Sequence, residues 1–270
     1  ATTYSEETVA AACGEQLRGF TDEALRVLLR RGLFLDGPAA RVLFERGFGK
    51  WIGLEAIEAA GCIDVRGAFA AEEFYDTAFG GAPGGYLTLT LPHLAGRPGY
   101  CKPRLATGAR VRSELVDPDA VRRLPGLFTC ENAYGGRIAV HPLDLNAAYG
   151  TAFNHPFRQR QLRGLLTWLG ACAPPLEVEG GVYPLALRKD TPRTTFLALF
   201  NLTLDAWPEA VFRLNDPRKA TGTDILTKNG VWKEDASVAV SHKDGIVEIR
   251  IPHELPPASP LFVSVRWTAE

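Results

Sequence analysis

The 270-residue sequence contains no methionine and only five cysteines, which is an odd number. The cysteines are widely spaced, with no CxxC pair and no histidine at metal-ligand spacing: Cys13, Cys62, Cys101, Cys130 and Cys172. A disulfide scaffold needs paired cysteines and a zinc site needs clustered ligands, so the sequence predicts neither. We expect free thiols packed as small apolar side chains in a reducing compartment, and therefore a cytoplasmic protein.

The sequence also lacks an excess of either charge and a long apolar run. Its 30 Lys and Arg residues against 31 Asp and Glu residues leave a net charge of -1, which gives no electrostatic basis for binding nucleic acid. The longest apolar stretch, from Phe196 to Leu204, is far shorter than the roughly 20 residues of a membrane-spanning helix. We predict neither a nucleic-acid partner nor a membrane partner.

Two further signals are missing. The chain begins at Ala1 without an initiator methionine and without the basic and apolar segments of a signal peptide, so we expect a processed or excised piece. The glycine-rich segment 80–85 lacks the Gly-Lys-Ser/Thr ending of a phosphate loop and precedes a strand-like segment. We interpret it as a flexible connection and predict no cofactor.

The composition that is present, with 46% hydrophobic and 23% charged residues, is that of a globular protein. The length suits two domains, and a break in composition falls at Ala173-Pro174-Pro175. The sequence therefore predicts one domain over residues 1–173 and another over residues 174–270.

The first domain begins with a helix, an apolar strand and a second helix. Thr21 suits the N-cap of the first helix, Leu33–Leu35 form the strand, and Asp36-Gly37-Pro38 opens the second helix. This order is typical of a parallel sheet covered by helices on both faces. An amphipathic stretch runs over Trp51–Ala60, and we predict a helix from Pro156 with Leu162, Leu165, Leu166 and Leu169 facing the sheet. Strands are predicted over Tyr86–Leu91, Ala109–Leu115, Gly126–Glu131 and Arg137–Leu143, and the fold class is α/β.

Residues 174–270 show the alternation of β-strands. Val247, Ile249 and Ile251 alternate with charged residues, and similar segments recur between Gly, Asp, Asn and Pro turns. About six short strands in this length predict a small antiparallel β-sandwich.

Asp36 is the first candidate site residue. It follows a predicted parallel strand at the carboxyl end, where open α/β sheets place their ligands. The competing interpretation is an N-cap of the following helix, which Asp commonly provides. The cap is the interpretation that we favour.

Three polar side chains, Glu131, Asn132 and Arg137, flank a predicted hairpin with paired glycines. They are suited to holding a sugar or a carboxylate. Equally, Asn132 suits the turn itself, and a surface ion pair between Glu131 and Arg137 needs no function. Both interpretations stay open.

The densest carboxylate cluster is Glu72, Glu73 and Asp76, and glycoside hydrolysis uses paired carboxylates. Sequence neighbours do not face each other across a substrate, so we predict a solvated acidic segment. His155 has the ordinary pKa of an acid or base near neutrality, but nothing pairs it with a nucleophile. No serine or cysteine lies in a glycine-flanked nucleophile elbow.

Three segments carry a family resemblance: Gly32–Ala40, Glu45–Gly49 and Glu131–Val140. They resemble the class I glutamine amidotransferase-like, flavodoxin-like domain that follows the catalytic barrel in some glycoside hydrolases, akin to the trimerisation domain of family 42 β-galactosidases. A small β-sandwich commonly closes such chains. The resemblance implies an α/β flavodoxin-like domain followed by a β-sandwich.

The same resemblance implies that the catalytic carboxylates lie in an upstream TIM barrel, for which this chain has no room because a barrel takes about 250 residues. In that family this domain forms oligomers and shapes the rim of the active site. No amidotransferase activity is implied, because the cysteine elbow is missing.

Three functions follow as hypotheses. The first is a non-catalytic carboxyl-terminal part of a glycoside-hydrolase-like protein that self-associates or lines the rim of a carbohydrate site. The second is an independent hydrolase with Asp36, Glu131 and His155 at the carboxyl edge of the sheet. The third is a carbohydrate-binding module in which an exposed Trp207 or Trp232 stacks on sugar rings.

Overall fold

Strands dominate both of the compact units, Ala1–Cys172 and Ala173–Glu270, into which the chain divides. The computed structural model describes residues 9–62, 71–74, 79, 85–88, 99–145, 156–181 and 184–268. Among these residues, no helix is both long enough and apolar enough to cross a bilayer.

The helices of the first unit are α1 (Asp22–Leu28), α2 (Gly37–Leu43) and α3 (Pro156–Gly170). Its strands are β1 (Ala10–Ala12), β2 (Gly32–Asp36), β3 (Leu54–Cys62), β4 (Ala71–Phe74), β5 (Gly85–Thr88), β6 (Gly99–Leu105), β7 (Arg110–Val111), β8 (Ser113–Val116), β9 (Arg122–Pro125), β10 (Phe128–Glu131) and β11 (Arg137–His141). A π-helical turn (Phe44–Phe48) and a 3-10 turn (Gly49–Ile52) link α2 to β3.

The main sheet of the first unit has the order β1-β2-β11-β10-β7. Its first three strands are parallel, and β10 and β7 are antiparallel to their neighbours. Leu33 and Leu35 pack with α1 and α2 on one face, and Ala139 packs with α3 on the other. The predicted helix, strand and helix are therefore confirmed, with Thr21 capping α1 through a bond from the Ala24 N–H. Leu166 on α3 is exposed, contrary to its predicted place against the sheet.

The predicted α/β flavodoxin-like fold is wrong. Such a fold repeats strand and helix along the chain. Here α2 follows β2, but the next eight strands, β3 to β10, precede the parallel strand β11 with no α-helix among the described residues of that segment. Six of these strands build two further antiparallel sheets, β3-β6 and β5-β4-β8-β9, while β7 and β10 join the main sheet. Most of the amphipathic stretch Trp51–Ala60 lies in a strand, since Leu54–Cys62 form β3 and pair with β6.

The second unit is an antiparallel β-sandwich, as predicted, with more strands than the six expected. They are β12 (Leu176–Glu179), β13 (Pro184–Asp190), β14 (Thr194–Asn201), β15 (Ala210–Asn215), β16 (Ala220–Leu226), β17 (Trp232–Glu234), β18 (Ala239–Lys243), β19 (Ile246–Ile251) and β20 (Pro260–Trp267). The sheets β12-β15-β19-β18 and β13-β14-β20-β16-β17 enclose one apolar core. Phe212, Ile249 and Val263 are fully buried in it.

Candidate functional site

Asp36 lies at the carboxyl end of β2 and is buried. Its Oδ1 accepts a hydrogen bond from the N–H of Ala39 at 2.8 Å, and its Oδ2 accepts from the N–H of Gly14 at 2.8 Å and of Leu145 at 3.2 Å. Burial raises the pKa of this carboxyl although three backbone donors oppose the rise. The cap interpretation is confirmed, and the carboxylate oxygens are used by the chain's own backbone.

Asn132 organises the predicted hairpin. Its Oδ1 accepts from the N–H groups of Tyr134 and Gly136, both at 3.0 Å, and its Nδ2 donates to the carbonyl oxygens of Leu29 at 2.7 Å and Trp51 at 3.2 Å. These four bonds tie the turn to the end of α1 and to the segment before β3. The side chain therefore has a structural role that accounts for each of its polar atoms.

Glu131 and Arg137 are cross-strand partners on β10 and β11. Arg137 donates to the carbonyl oxygen of Trp168 at 2.8 Å, and Glu131 is exposed without an ion pair to the described residues. Arg137 is the register partner of Gly32, at the other end of β2 from Asp36. Four residues of strand, or about 13 Å, separate these ends. The sheet thus keeps Asp36 and Glu131 apart, and His155 lies outside the described residues.

The buried polar cluster of the first unit consists of residues that the sequence did not bring together: Glu72, Ser113, His141, Arg158 and Gln161. We call it the Glu72 cluster. Each of its side chains is almost completely buried. The expectation of a solvated acidic segment at 72–76 is therefore wrong for Glu72, and Asp76 lies outside the described residues.

Arg158 on α3 grips both oxygens of the Glu72 carboxylate. Its Nη1 lies 3.1 Å from Oε1, and its Nη2 also donates to Oε2. His141 Nε2 lies 3.0 Å from Oε2, and Ser113 Oγ donates to Oε1. Arg158 Nη1 also donates to Gln161 Oε1 at 2.6 Å. A bidentate, buried arginine–carboxylate pair with satisfied neighbours holds β4, β11 and α3 to one another.

The protonation states in this cluster follow from burial and charge. Burial alone would raise the pKa of Glu72, but the charge of Arg158, with His141 and the hydrogen bonds, outweighs it and holds that pKa well below its usual range. Burial lowers the pKa of His141 against the opposing pull of Glu72. A neutral His141 donates from Nε2 to Glu72 and accepts at Nδ1 from the N–H of Leu143 at 3.4 Å. An ionised, fully engaged carboxylate is a poor proton donor, so the cluster suits architecture rather than acid catalysis.

Two sequence signals could have found this cluster. Glu72 precedes the buried Phe74 by two residues, so the period of a strand places both on the same face. Arg158 precedes Leu162, Leu165 and Leu169 by four, seven and eleven residues, so it continues the buried stripe of α3. A charged residue on each of two buried faces indicates that the two charges pair.

A groove of about 780 Å³ opens beside the turns that follow α2. Both apolar and charged side chains line it, among them Phe44, Lys50, Trp51, Leu54, Glu55 and Arg104. We call it the Trp51 groove. Glu55 and Arg104 form an exposed ion pair at 3.4 Å. The volume lies in the range of about 300–1,000 Å³ that is usual for small-molecule sites.

Trp51, a lining residue of the groove, contacts two further aromatic rings. Tyr134 stacks on Trp51 with ring centroids 3.7 Å apart and planes 16° apart, and Phe48 meets Trp51 edge-on at 5.9 Å. Tyr134 is 52% exposed. The hairpin therefore presents an exposed aromatic ring that is held from behind by Trp51, which itself lines the groove.

The two tryptophans proposed for sugar stacking in the second unit differ in exposure. Trp207 is buried in the sandwich core, so the third hypothesis is wrong for this residue. Trp232 on β17 is 41% exposed and lies 5.8 Å from Phe196 between ring centroids. Among the described residues, no group of three or more His, Cys, Asp or Glu side chains is placed to hold a metal ion.

Several solved structures are similar to this chain. α-L-Fucosidase isoenzyme 2 from Paenibacillus thiaminolyticus matches with a TM-score of 0.58 at 9% identity, over 96% of this chain and 40% of that chain. The GH42 β-galactosidase Gan42B from G. stearothermophilus matches at 0.46 and 11% identity, over 91% and 30% of the two chains. A β-galactosidase from Bacillus circulans sp. alkalophilus matches at 0.48 and 13%, over 92% and 31%.

The chain spans less than half the length of each of these proteins. No protein-family profile matches the sequence, and no curated protein matches it. The match to the fucosidase shows that the chain has the fold of a region found in a glycoside hydrolase. The glycoside-hydrolase part of the resemblance agrees with this fold, whereas the flavodoxin-like and amidotransferase-like part does not.

Proposed function

We propose that this chain is a non-catalytic region of a glycoside-hydrolase-related protein and that the Trp51 groove contributes to the rim of a carbohydrate site. The observation that carries the proposal is the Trp51 ring, which lines the groove together with Lys50, Glu55 and Arg104 and is stacked on the exposed Tyr134 ring. Apolar faces of sugars pack on aromatic rings, and their hydroxyl groups bond to charged side chains. The groove offers both within one concave surface.

The contacts of the buried acidic residues support the non-catalytic role. Glu72 is locked to Arg158, and Asp36 accepts three backbone hydrogen bonds. A glycosidase needs two carboxyl groups on opposite sides of a glycosidic bond, at about 5–10 Å. Asp36 and Glu131, the acidic residues of the hydrolase hypothesis, lie at opposite ends of the sheet and do not supply this arrangement.

We propose further that the catalytic barrel lies upstream in the parent protein, that the chain self-associates, and that it resides in the cytoplasm. The four cysteines with described side chains carry free thiols, and two of them, Cys101 and Cys130, are buried. Free thiols in an apolar setting suit a reducing compartment.

Sugar binding by the purified chain tests the groove. We expect methyl α-L-fucoside or methyl β-D-galactoside to give saturation-transfer signals, and Y134A to weaken binding several-fold because one stacking face is lost. The matched control is W232A, which removes an exposed aromatic ring from the other unit. Loss of binding in W232A alone would instead assign sugar binding to the β-sandwich.

A turnover assay tests the non-catalytic role. We expect the chain alone to release no nitrophenol from 4-nitrophenyl glycosides of fucose, galactose and glucose above the uncatalysed rate. Reproducible turnover that D36N or E131Q removes would support the hydrolase hypothesis and overturn this proposal.

A further inference from the structure

The outer face of the five-stranded sheet in the second unit is apolar and exposed. Side chains alternate along β13 and β14, so that Leu187 and Phe196 point outward while Leu197 and Leu199 lie in the core. Leu187 is 54% exposed and Phe196 is 38% exposed. Leu185, Phe200, Phe262 and Trp232 extend this face. A contiguous apolar surface of this kind is typical of a binding surface.

Opposite charges mark the two ends of one row across this face. From one edge strand to the other, register partners follow in the order Lys189, Phe196, Ser264, Asp224 and Glu234. Lys189 is exposed, and the Glu234 side chain is 70% exposed. Because Ser264 lies on the middle strand β20, Lys189 and Glu234 are placed symmetrically about the centre of the sheet. The third charged residue of the row, Asp224, pairs with Arg266 Nη1, and Arg266 Nη2 lies 3.6 Å from the Glu234 carboxylate.

We propose that this face binds the same face of a second copy of the chain, about a twofold axis that runs along β20. The inference rests on the self-association proposed above and names its surface. Rotation about this axis exchanges the two edge strands, so Lys189 of each copy faces Glu234 of the other. Two ion pairs thus form across one isologous contact.

The neighbouring row supplies the apolar part of the contact. Leu187 pairs with Ala198 and Ala198 with Phe262, while Leu226 pairs with Trp232 on the opposite edge strand. The same rotation brings Leu187 of one copy over Trp232 of the other and Phe262 over its own counterpart. The symmetric placement of Lys189 and Glu234 fits a second copy, because an unrelated partner has no need of it.

The size of the face sets the strength of the contact. Five strands span about 19 Å, and the apolar rows cover about 13 Å along them. This area is smaller than the roughly 800 Å² per partner of a standard stable interface. We therefore expect a weak dimer whose fraction rises with concentration.

Sedimentation velocity of the full chain over a concentration series up to about 200 µM tests the proposal. L187E places a charge within the apolar rows and should lower the dimer association constant at least about thirtyfold. L166E is the matched control, because it adds the same charge at a similarly exposed leucine in the first unit, and it should leave association unchanged.

Charge reversal provides the sharper test. K189E and E234K should each weaken self-association about tenfold, because each places like charges together twice in the dimer. The double variant K189E/E234K should restore wild-type association. An equimolar mixture of the two single variants should also restore it, since position 189 of one then opposes a reversed charge at position 234 of the other.

The outcomes are separable. A wild-type chain that stays monomeric at every concentration overturns both self-association and this surface, and leaves the face to a carbohydrate or another protein. A wild-type oligomer that L187E, K189E and E234K do not weaken overturns the surface alone. If K189E and E234K each weaken self-association but their equimolar mixture does not restore it, the proposed twofold arrangement is also overturned.

Discussion

Asp36 and His141 are register partners at the carboxyl ends of the parallel strands β2 and β11. This is the edge at which an open α/β sheet would place a ligand. Instead, Asp36 is bound to backbone N–H groups, and His141 is bound to Glu72 in a buried cluster. Both polar side chains at this edge are used to join elements of the first unit.

The coupling energy of the Glu72–Arg158 pair should exceed that of an exposed ion pair on the surface. E72Q or R158M alone should each cost about 3–5 kcal/mol, because the remaining partner stays buried. In a double-mutant cycle with E72Q/R158M, measured by urea unfolding, we expect a coupling of about 2 kcal/mol.

The matched control is the exposed pair Glu15–Arg18, with N···O at 3.0 Å. Its cycle should give a coupling of about 0–1 kcal/mol. Equal couplings for the buried and exposed pairs would show that the Glu72 cluster does not hold the first unit together.

The first unit should lose stability as the pH falls below neutrality. Folding lowers the pKa of His141 from its ordinary 6.5. As the pH falls below 6.5, His141 therefore takes up a proton in the unfolded chain before it does so in the folded chain, and the free energy of unfolding decreases. Folding also lowers the pKa of Glu72 from 4.5, so its contribution is complete above pH 4.5 and is lost below it.

Thermal unfolding between pH 4 and pH 8 checks this expectation. Each proton that is bound in the unfolded chain but not in the folded chain changes the free energy of unfolding by up to about 1.4 kcal/mol per pH unit. H141Q should remove the slope between pH 6.5 and pH 5 and retain the slope at lower pH. An unchanged slope in H141Q would assign the effect to other groups.

The cysteines should differ in the rate at which their thiols are modified. Burial raises the pKa of Cys13 and Cys101 to about 11 and that of Cys130 to about 12, whereas Cys172 is exposed. Because the thiolate is the reactive form, Ellman's reagent at pH 8 should modify Cys172 at least about a hundredfold faster than these three.

The measurement is made on a C62S background, because the side chain of Cys62 lies outside the described residues. C172S should then remove the fast phase. A fast phase that survives in C62S/C172S would show that one of the buried thiols is accessible.

Asp36 should matter more to stability than an exposed cap does. D36A removes three hydrogen bonds from buried N–H groups and should cost about 2–4 kcal/mol in urea unfolding. T21A removes the exposed cap of α1 and should cost about 1 kcal/mol. Similar costs for the two variants would contradict the role of Asp36 in joining Gly14 and Leu145 to α2.

Local patterns predicted some parts of this protein and misjudged others. The caps at Thr21 and Asp36 and the alternation around Ile249 specify their elements through near neighbours, so the sequence was sufficient. The amphipathic stretch Trp51–Ala60 does not specify its own structure, because pairing with β6, 37 to 51 residues away, makes residues 54–62 a strand. Local propensity cannot report a partner at that distance.

The same reason explains the site residues. Glu72, His141 and Arg158 come from β4, β11 and α3, so only the folded chain shows their contact. The Trp51 groove likewise combines the turns after α2 with residues 104–107, and Tyr134 of the hairpin contacts it only through the Trp51 ring. The resemblance agrees with the fold that this chain shares with a region of the fucosidase, and it wrongly extended three parallel strands into a flavodoxin-like fold.

The span of 86 residues between Glu72 and Arg158 also limits how this protein can be dissected. A fragment that ends before α3 would bury an anion without its counter-ion and expose the Phe34 and Ala139 side of the main sheet. Such a fragment should be insoluble or rapidly degraded. Useful shortened versions of the first unit must therefore extend beyond Gly170, even when only the Trp51 groove is of interest.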